Sequence, residues 1–202
     1  MDRRVTNSVG SVLTIIALAG VLLSVSCAYF NTFYYTKRHF NDAERERKDS
    51  YGEITNDAQK SYNNAIEWAG KVLEDHRDSR YADDSMFILA MSYFFTEQYV
   101  LARDSFETLE QVFSDSEYVP RSRLFRAKSL LGLGRFEEAR IILNELTEHE
   151  DREVREQAGI PLAEINHVNE IWRDLAGDAQ VVIDADPDKG VLQRALMFKG
   201  EA

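Results

Sequence analysis

The strongest constraint on this chain is that it repeats itself every 37 residues. Asp78-Ser79-Arg80-Tyr81 returns at that offset as Asp115-Ser116-Glu117-Tyr118. The same offset separates Ala65, Ala102 and Ala139, and each follows an aromatic by three residues: Tyr62, Tyr99 and Phe136. Self-similarity at a fixed period of about 20–50 residues is the mark of one supersecondary unit stacked on its neighbours. Each unit leaves an apolar face that only the next copy can bury, so the chain must fold as an array.

Composition fixes which unit it is. Ten Gly and three Pro in 202 residues are too few for an all-β chain with many tight turns. The units are therefore helical. A single cysteine excludes a disulfide framework and any multi-cysteine zinc site. With 24 Lys+Arg against 35 Asp+Glu, the formal charge is −11, which argues against nucleic acid as a partner.

The first 27 residues read as an address. Arg3 and Arg4 precede an uncharged apolar run from Val12 to Val25. That run is shorter than the roughly 20 residues needed to span a bilayer, and it has the length of a secretory h-region. It ends in Leu23-Ser24-Val25-Ser26-Cys27. Small residues directly before a lone Cys resemble the lipobox of bacterial lipoproteins. The resemblance implies cleavage before Cys27, lipidation of Cys27 and a membrane anchor. Ala28, rather than Asp, follows the Cys, which in that family permits transfer to the outer membrane.

The repeats resemble the tetratricopeptide family, a helix–turn–helix of about 34 residues. Counting from Asp83, Leu89, Ala90, Tyr93, Tyr99, Ala102 and Phe106 occupy the family's signature positions. Ala127, Leu130, Gly134, Phe136, Ala139 and Leu143 do so in the next copy. Tyr62, Ala65 and Ala69 supply an earlier half-repeat. A degenerate copy starts near Glu156, with Leu162, Ala163, Trp172, Ala179 and Pro187, and has Asn166 and Leu175 where an aromatic and Ala are expected. Small residues let paired helices approach, and aromatics fill the gap between them. The extra residues per period fall in the inter-repeat turn, where Asp and Ser are suited to cap the next helix. Tyr81 and Tyr118 are expected to pack over the start of that helix.

These readings give an all-α, tetratricopeptide-like helical repeat array, an α-solenoid, behind a lipoprotein signal. Residues 1–26 are the signal, 27–54 the lipidated tether and an aromatic-rich helix, 55–150 the repeats, and 151–202 a degenerate repeat with the start of another. Helices are expected at 30–47, 55–75, 82–96, 99–113, 119–133, 136–148 and 152–175, with Pro161 kinking the last or breaking it near Ile160. Ala195 and Phe198 have the spacing of a further first helix, which suggests a longer reading frame.

Chemistry is sparse. His39, His76, His149 and His167 form no H-x-x-x-H or H-E-x-x-H pattern, so no metal site is expected. Gly132-Leu133-Gly134-Arg135 lacks the Lys-Ser/Thr and the preceding strand of a phosphate loop. No nucleophile stands beside a base and an orienting group, so neither a catalytic role nor a cofactor is expected.

The candidate site is a partner-binding face. On the helix from Ala82, Met86, Ala90 and Tyr93 form one stripe, expected to be core. Phe87, Met91 and Phe94 form a second, flanked by Phe95, at positions that line the concave face in the repeat family. An apolar stripe left uncovered marks a binding site. In the next repeat Arg121, Leu124 and Lys128 share that face, offering two cations to a carboxylate of a bound segment. The alternative is that the aromatic helix from Phe30 to Arg47 folds back and fills it.

Anchor and repeats together resemble the BamD-like outer-membrane lipoproteins. The resemblance rests on Cys27, the aromatic segment Tyr29, Phe30, Phe33, Tyr34 and Tyr35, and the D-S-x-Y turns. It implies a periplasmic scaffold on the outer membrane, held by its lipid, that binds envelope proteins or extended segments of them during β-barrel assembly. A scaffold for division, polysaccharide export or peptidoglycan work is the other reading.

Overall fold

The computed structural model describes residues 31–166. The signal, Cys27 and the positions from His167 onward, including Trp172, Ala179, Pro187, Ala195 and Phe198, lie outside the described residues. Seven helices and no strand occur among the described residues: α1 (31–49), α2 (Asn56–Asp75), α3 (Ala82–Phe95), α4 (Tyr99–Val112), α5 (Val119–Gly132), α6 (Phe136–Thr147) and α7 (152–166). α2 to α6 begin and end within one residue of the ranges that periodicity predicts. α7 differs: it runs on through Pro161, which is itself buried, so the expected break near Ile160 does not occur. Helical backbone continues on both sides of Pro161, so the lost N–H bond does not end the helix.

The chain divides into two compact units, one ending at Leu133 and the other beginning at Gly134. In the first, α2 packs on α3, α3 on α4 and α4 on α5, and α3 also touches α5. α1 joins through rings: Phe40 meets Tyr62 edge-on with centroids 6.0 Å apart, and Tyr35 meets Trp68 at 4.9 Å. In the second unit, Ala139, Ile142, Leu143 and Leu146 of α6 and Ala158 and Ile165 of α7 are buried.

Each helix follows from its pattern. On α2, Ala58, Tyr62, Ala65, Ala69 and Val72 form one buried stripe at helical spacing. Thr55 caps it by accepting the Ala58 N–H at 3.1 Å, a bond worth about 1 kcal/mol. On α4 the stripe is Ala102, Phe106 and Leu109. α3 buries Ala82, Ser85, Phe87, Ile88, Ala90, Met91 and Ser92, which point in most directions around its axis. It is the central helix of its unit, enclosed by α2, α4 and α5. Ala65, Ala90, Ala102, Ala127 and Ala139 are all fully buried, as close helix contact requires. A bidentate ion pair from Arg126 of α5 to Glu110 of α4, both contacts 2.9 Å, ties those two helices.

The two D-S-x-Y turns match bond for bond. Ser79 N–H donates to the His76 carbonyl at 3.0 Å, and Ser116 N–H to that of Phe113 at 2.9 Å. The serine hydroxyls accept the N–H of Tyr81 at 3.4 Å and of Tyr118 at 3.3 Å. They close the turn itself; no side chain caps α3 or α5. The tyrosines also depart from expectation, because they pack backwards. Tyr118 stacks on Phe87 of α3 at 4.4 Å, with planes 12° apart, and its hydroxyl donates to Asp84 Oδ1 at 2.7 Å. Tyr81 stacks on Phe33 of α1 at 4.3 Å and 8°. A flat ring gains more from a parallel aromatic partner in the preceding repeat than from the polar first turn of the next helix.

The turns within repeats are shorter. Glu97 between α3 and α4 has φ 60°, and Gly134, 37 residues on, has φ 72°. Gly132 has a packing reason of its own: a Cβ there would stand 2.7 Å from the Tyr99 ring. Both glycines of the G-L-G-R stretch are thus accounted for by the backbone and the packing around it.

Candidate partner-binding site

The C-terminal end of α3, the end of α1 and the length of α5 meet around a cluster of aromatic rings. Phe94 stands edge-on to Phe125 at 5.0 Å, to Phe95 at 5.4 Å and to Tyr99 at 5.8 Å. Phe95 stacks on Tyr62 of α2 at 5.2 Å. Phe125 reaches inward to Phe106 at 6.1 Å. The negative ring faces attract cations. Arg47 lies over Phe95 at 4.5 Å, Lys128 over Phe125 at 4.8 Å, and Arg121 over Phe125 and Phe87 at 5.8 and 5.5 Å. Three cations therefore sit on this aromatic cluster in a chain whose formal charge is −11.

Arg47 is held from behind. Its guanidinium donates to Glu44 at 2.8 and 3.2 Å, and the Tyr62 hydroxyl donates to the same carboxylate at 2.6 Å. Burial works to raise the Glu44 carboxyl, but the bonds from Arg47 and Tyr62 and the Arg47 charge outweigh it and hold the group below its ordinary range. Burial and the Glu44 carboxylate push the Tyr62 phenol well up, so it stays a donor. The network fixes the end of α1 against α2 and presents Arg47 to Phe95.

Two of the expected site residues are not on a surface. Phe87 and Met91 are 5% and 1% exposed and belong to the core with Ala90, Ala102, Phe106, Leu109 and Phe125. The reason is the position of α3: with helices on several sides, the second stripe is as enclosed as the first. Met86 and Tyr93, expected as core, are only half-buried. Leu124 is buried beneath the face rather than on it. Phe94, Phe95 and Lys128 are half-buried and Arg121 is exposed, so these four are reachable from outside. α1 does fold back, as the alternative expected, and helps to cover this stripe: Phe40 packs against the Phe87–Met91 cluster and, with Phe95, against Ala43 and Tyr62, while Phe33 packs with Ile88 further along. Arg47 and Phe125 were missed by sequence reasoning. Phe125 had a signal, since it lies four residues after Arg121 and three before Lys128, the spacing that puts cations and a ring on one face.

Among the described residues no helix is long and apolar enough to cross a membrane, and no group of three His, Cys, Asp or Glu could hold a metal ion. No curated protein matches the chain. Residues 58–146, from the first turn of α2 to the last of α6, match the family model described as anaphase-promoting complex, cyclosome, subunit 3, a tetratricopeptide-like repeat family. Five of the seven helices among the described residues lie in the matched stretch, and with their 37-residue period and alanine-lined contacts the described residues form a tetratricopeptide-like helical repeat array.

Proposed function

We propose that this protein is a lipid-anchored envelope scaffold that binds extended, carboxylate-bearing segments of other proteins on the face formed by Phe94, Phe95, Arg121 and Lys128. Repeat arrays of this type serve generally as protein-interaction scaffolds. The observation that carries the reading is the set of cations over Phe95 and Phe125 in a strongly acidic chain. Aromatic floors give contact area, and Arg and Lys give charge-assisted bonds to a carboxylate. The lipobox-like end at Cys27 supports an anchor, and the resemblance to BamD-like lipoproteins supports β-barrel assembly at the periplasmic face of the outer membrane.

The test is co-purification of the full chain with the barrel-assembly core, set beside Arg121→Glu with Lys128→Glu. The double variant should lose the partner, and Arg121→Glu alone, at an exposed residue, should weaken capture while melting within a few degrees of wild type. Depletion should lower the level of folded barrel proteins. Normal barrel levels after depletion, with partner capture intact, would remove barrel assembly and leave another envelope scaffold role. Capture unchanged in the double variant would remove the face.

A further inference from the structure

A second surface lies on α1, away from the Phe95–Phe125 cluster. Phe33, Tyr34, Lys37, Arg38, Asp42 and Tyr81 line an open cleft of about 530 Å³. Its floor is the Phe33–Tyr81 stack, and its rim is Tyr34, half of which is exposed, with Lys37 and Arg38. Outside the lining, Arg80 lies 4.6 Å from the Tyr81 ring centre and donates to the Tyr81 hydroxyl. One carboxylate, Asp42, opposes Lys37 and Arg38; it already accepts a bond from Arg45 at 2.9 Å and stands 3.9 Å from Arg38. The cleft is a cationic, aromatic pocket in a chain of charge −11.

Its place in the chain says what it faces. Residue 31 is four residues from Cys27, a reach of at most about 14 Å. The cleft occupies the first turns of α1 after that point, and each residue of helix adds only about 1.5 Å. On the reading that Cys27 carries lipid, the pocket is held within a short tether of the bilayer surface. Half-exposed Tyr with adjacent Lys and Arg is the composition of a membrane interface, where rings sit among headgroups and cations meet phosphates.

We propose that this cleft binds the phosphate of an anionic phospholipid headgroup in the membrane that holds the anchor. Lys37 and Arg38 take the phosphate, and Tyr34 and the Phe33–Tyr81 stack cover the glycerol and upper acyl carbons. A headgroup bound there orients α1, and with it the repeats of its unit, at the membrane surface, which a lipid on Cys27 alone would not do.

The experiment reconstitutes the full chain in phosphatidylcholine vesicles containing a minority of photo-crosslinkable phosphatidylglycerol and maps labelled peptides by mass spectrometry. Labelling should concentrate on 33–42 and 80–81. It should fall by about tenfold or more in Lys37→Glu with Arg38→Glu, whose two side chains are exposed and whose helicity should be unchanged. The single change Lys37→Gln should give a smaller fall, and Lys37→Arg should keep the label. Equal labelling by photo-crosslinkable phosphatidylcholine would overturn the proposal, as would loss of the label on adding inorganic phosphate alone. Cys27→Ala separates the two readings: if only the anchor is wrong, that chain keeps the headgroup preference at 33–42, and if only the cleft is wrong, the acylated chain labels without preference.

Discussion

Glu97 and Gly134 occupy the same turn position one period apart, and both take left-handed backbone, with φ 60° and 72°. Only the second is a residue that adopts this conformation without cost. For an L-residue, left-handed geometry brings Cβ against the following carbonyl and costs about 1–2 kcal/mol. Glu97→Gly removes that cost. It also loosens the unfolded chain, which gives back about 0.4–1 kcal/mol. The expected net gain is about 0.5–1 kcal/mol, or about 1–4 °C in Tm for a chain of this size. Glu97 is exposed, so little else is lost with its side chain. Gly134→Ala is the mirror experiment. A Cβ there meets nothing within 4 Å, so any loss is conformational, and about 1 kcal/mol of destabilisation is expected. Urea unfolding followed by circular dichroism reads both variants, and unchanged slopes would show that stability changed without a change in the surface exposed on unfolding. Because Glu97 lies in the first compact unit and Gly134 opens the second, the two shifts should appear in separate transitions if the units unfold independently. A Glu97→Gly chain that melts lower than wild type, or a Gly134→Ala chain that melts higher, would refute the account of these turns.

Ala102 is fully buried where paired helices touch, so Ala102→Leu should cost about 1–3 kcal/mol, while Glu107→Leu on the exposed side of the same helix should cost almost nothing; equal melting points would undo the helix register. Phe94→Ala removes a ring that touches Phe95, Tyr99 and Phe125 but is only half-buried, so a loss of about 2–3 kcal/mol is expected, below that of a full core phenylalanine, and thermal unfolding decides it. Glu44 is held below its ordinary value of 4.5 in the folded chain. As pH falls, the unfolded chain takes up that proton first, so the contribution is intact above about pH 4.5 and fades below it. Glu44→Gln should therefore flatten the acid limb of the stability curve; an unchanged limb would show that the Arg47–Glu44–Tyr62 network does not act as described.

Where a helix has a single apolar stripe, the pattern located the interior directly. α2 and α4 buried the alanines and aromatics that the period marks: Tyr62, Ala65, Ala69, Ala102 and Phe106. α3 defeated the same reasoning because it is apolar nearly all round. Periodicity can choose the buried side of a helix only when a polar side exists to contrast with it, so assigning Met86 and Tyr93 to the core and Phe87 and Met91 to a surface had no physical discriminator. α1 itself was legible as a helix over 30–47, but its pairing with α2 was hidden for another reason. α2 has 20 residues where α3 and α4 have 14 each, and the turn before α2 is longer than those at Glu97 and Gly134. The offset of 37 cannot register α1 as the partner of α2, although Phe33 meets Tyr81 just as Phe87 meets Tyr118. The cations of the candidate site were half legible. Arg121 and Lys128 announce themselves on one helix face, but Arg47 meets Phe95 through a fold-back whose register no local pattern encodes.

The turn tyrosines connect the repeat to the site. Each one stacks on the first helix of the preceding repeat while its own backbone starts the first helix of the next. The stack thus fixes the distance between successive first helices. Between α3 and α5 it is reinforced by the Tyr118 hydroxyl on Asp84 and by Ser116 on Asp83 at 2.8 Å. This spacing places Phe125 within 5.0 Å of Phe94 and lets Arg121 lie over rings of both helices. One period later both partners have changed. Leu124 stands where Phe87 stood, and Arg155 where Tyr118 stood. Arg155 no longer presents a ring; it donates to the carbonyls of His149 and Glu150 at 2.6 and 2.8 Å and holds the turn after α6 locally. The aromatic device is therefore confined to the repeats that carry the cation-covered face. On the reading proposed above, a ligand on that face would span α3 and α5, the pair whose spacing the Tyr118–Phe87 stack fixes.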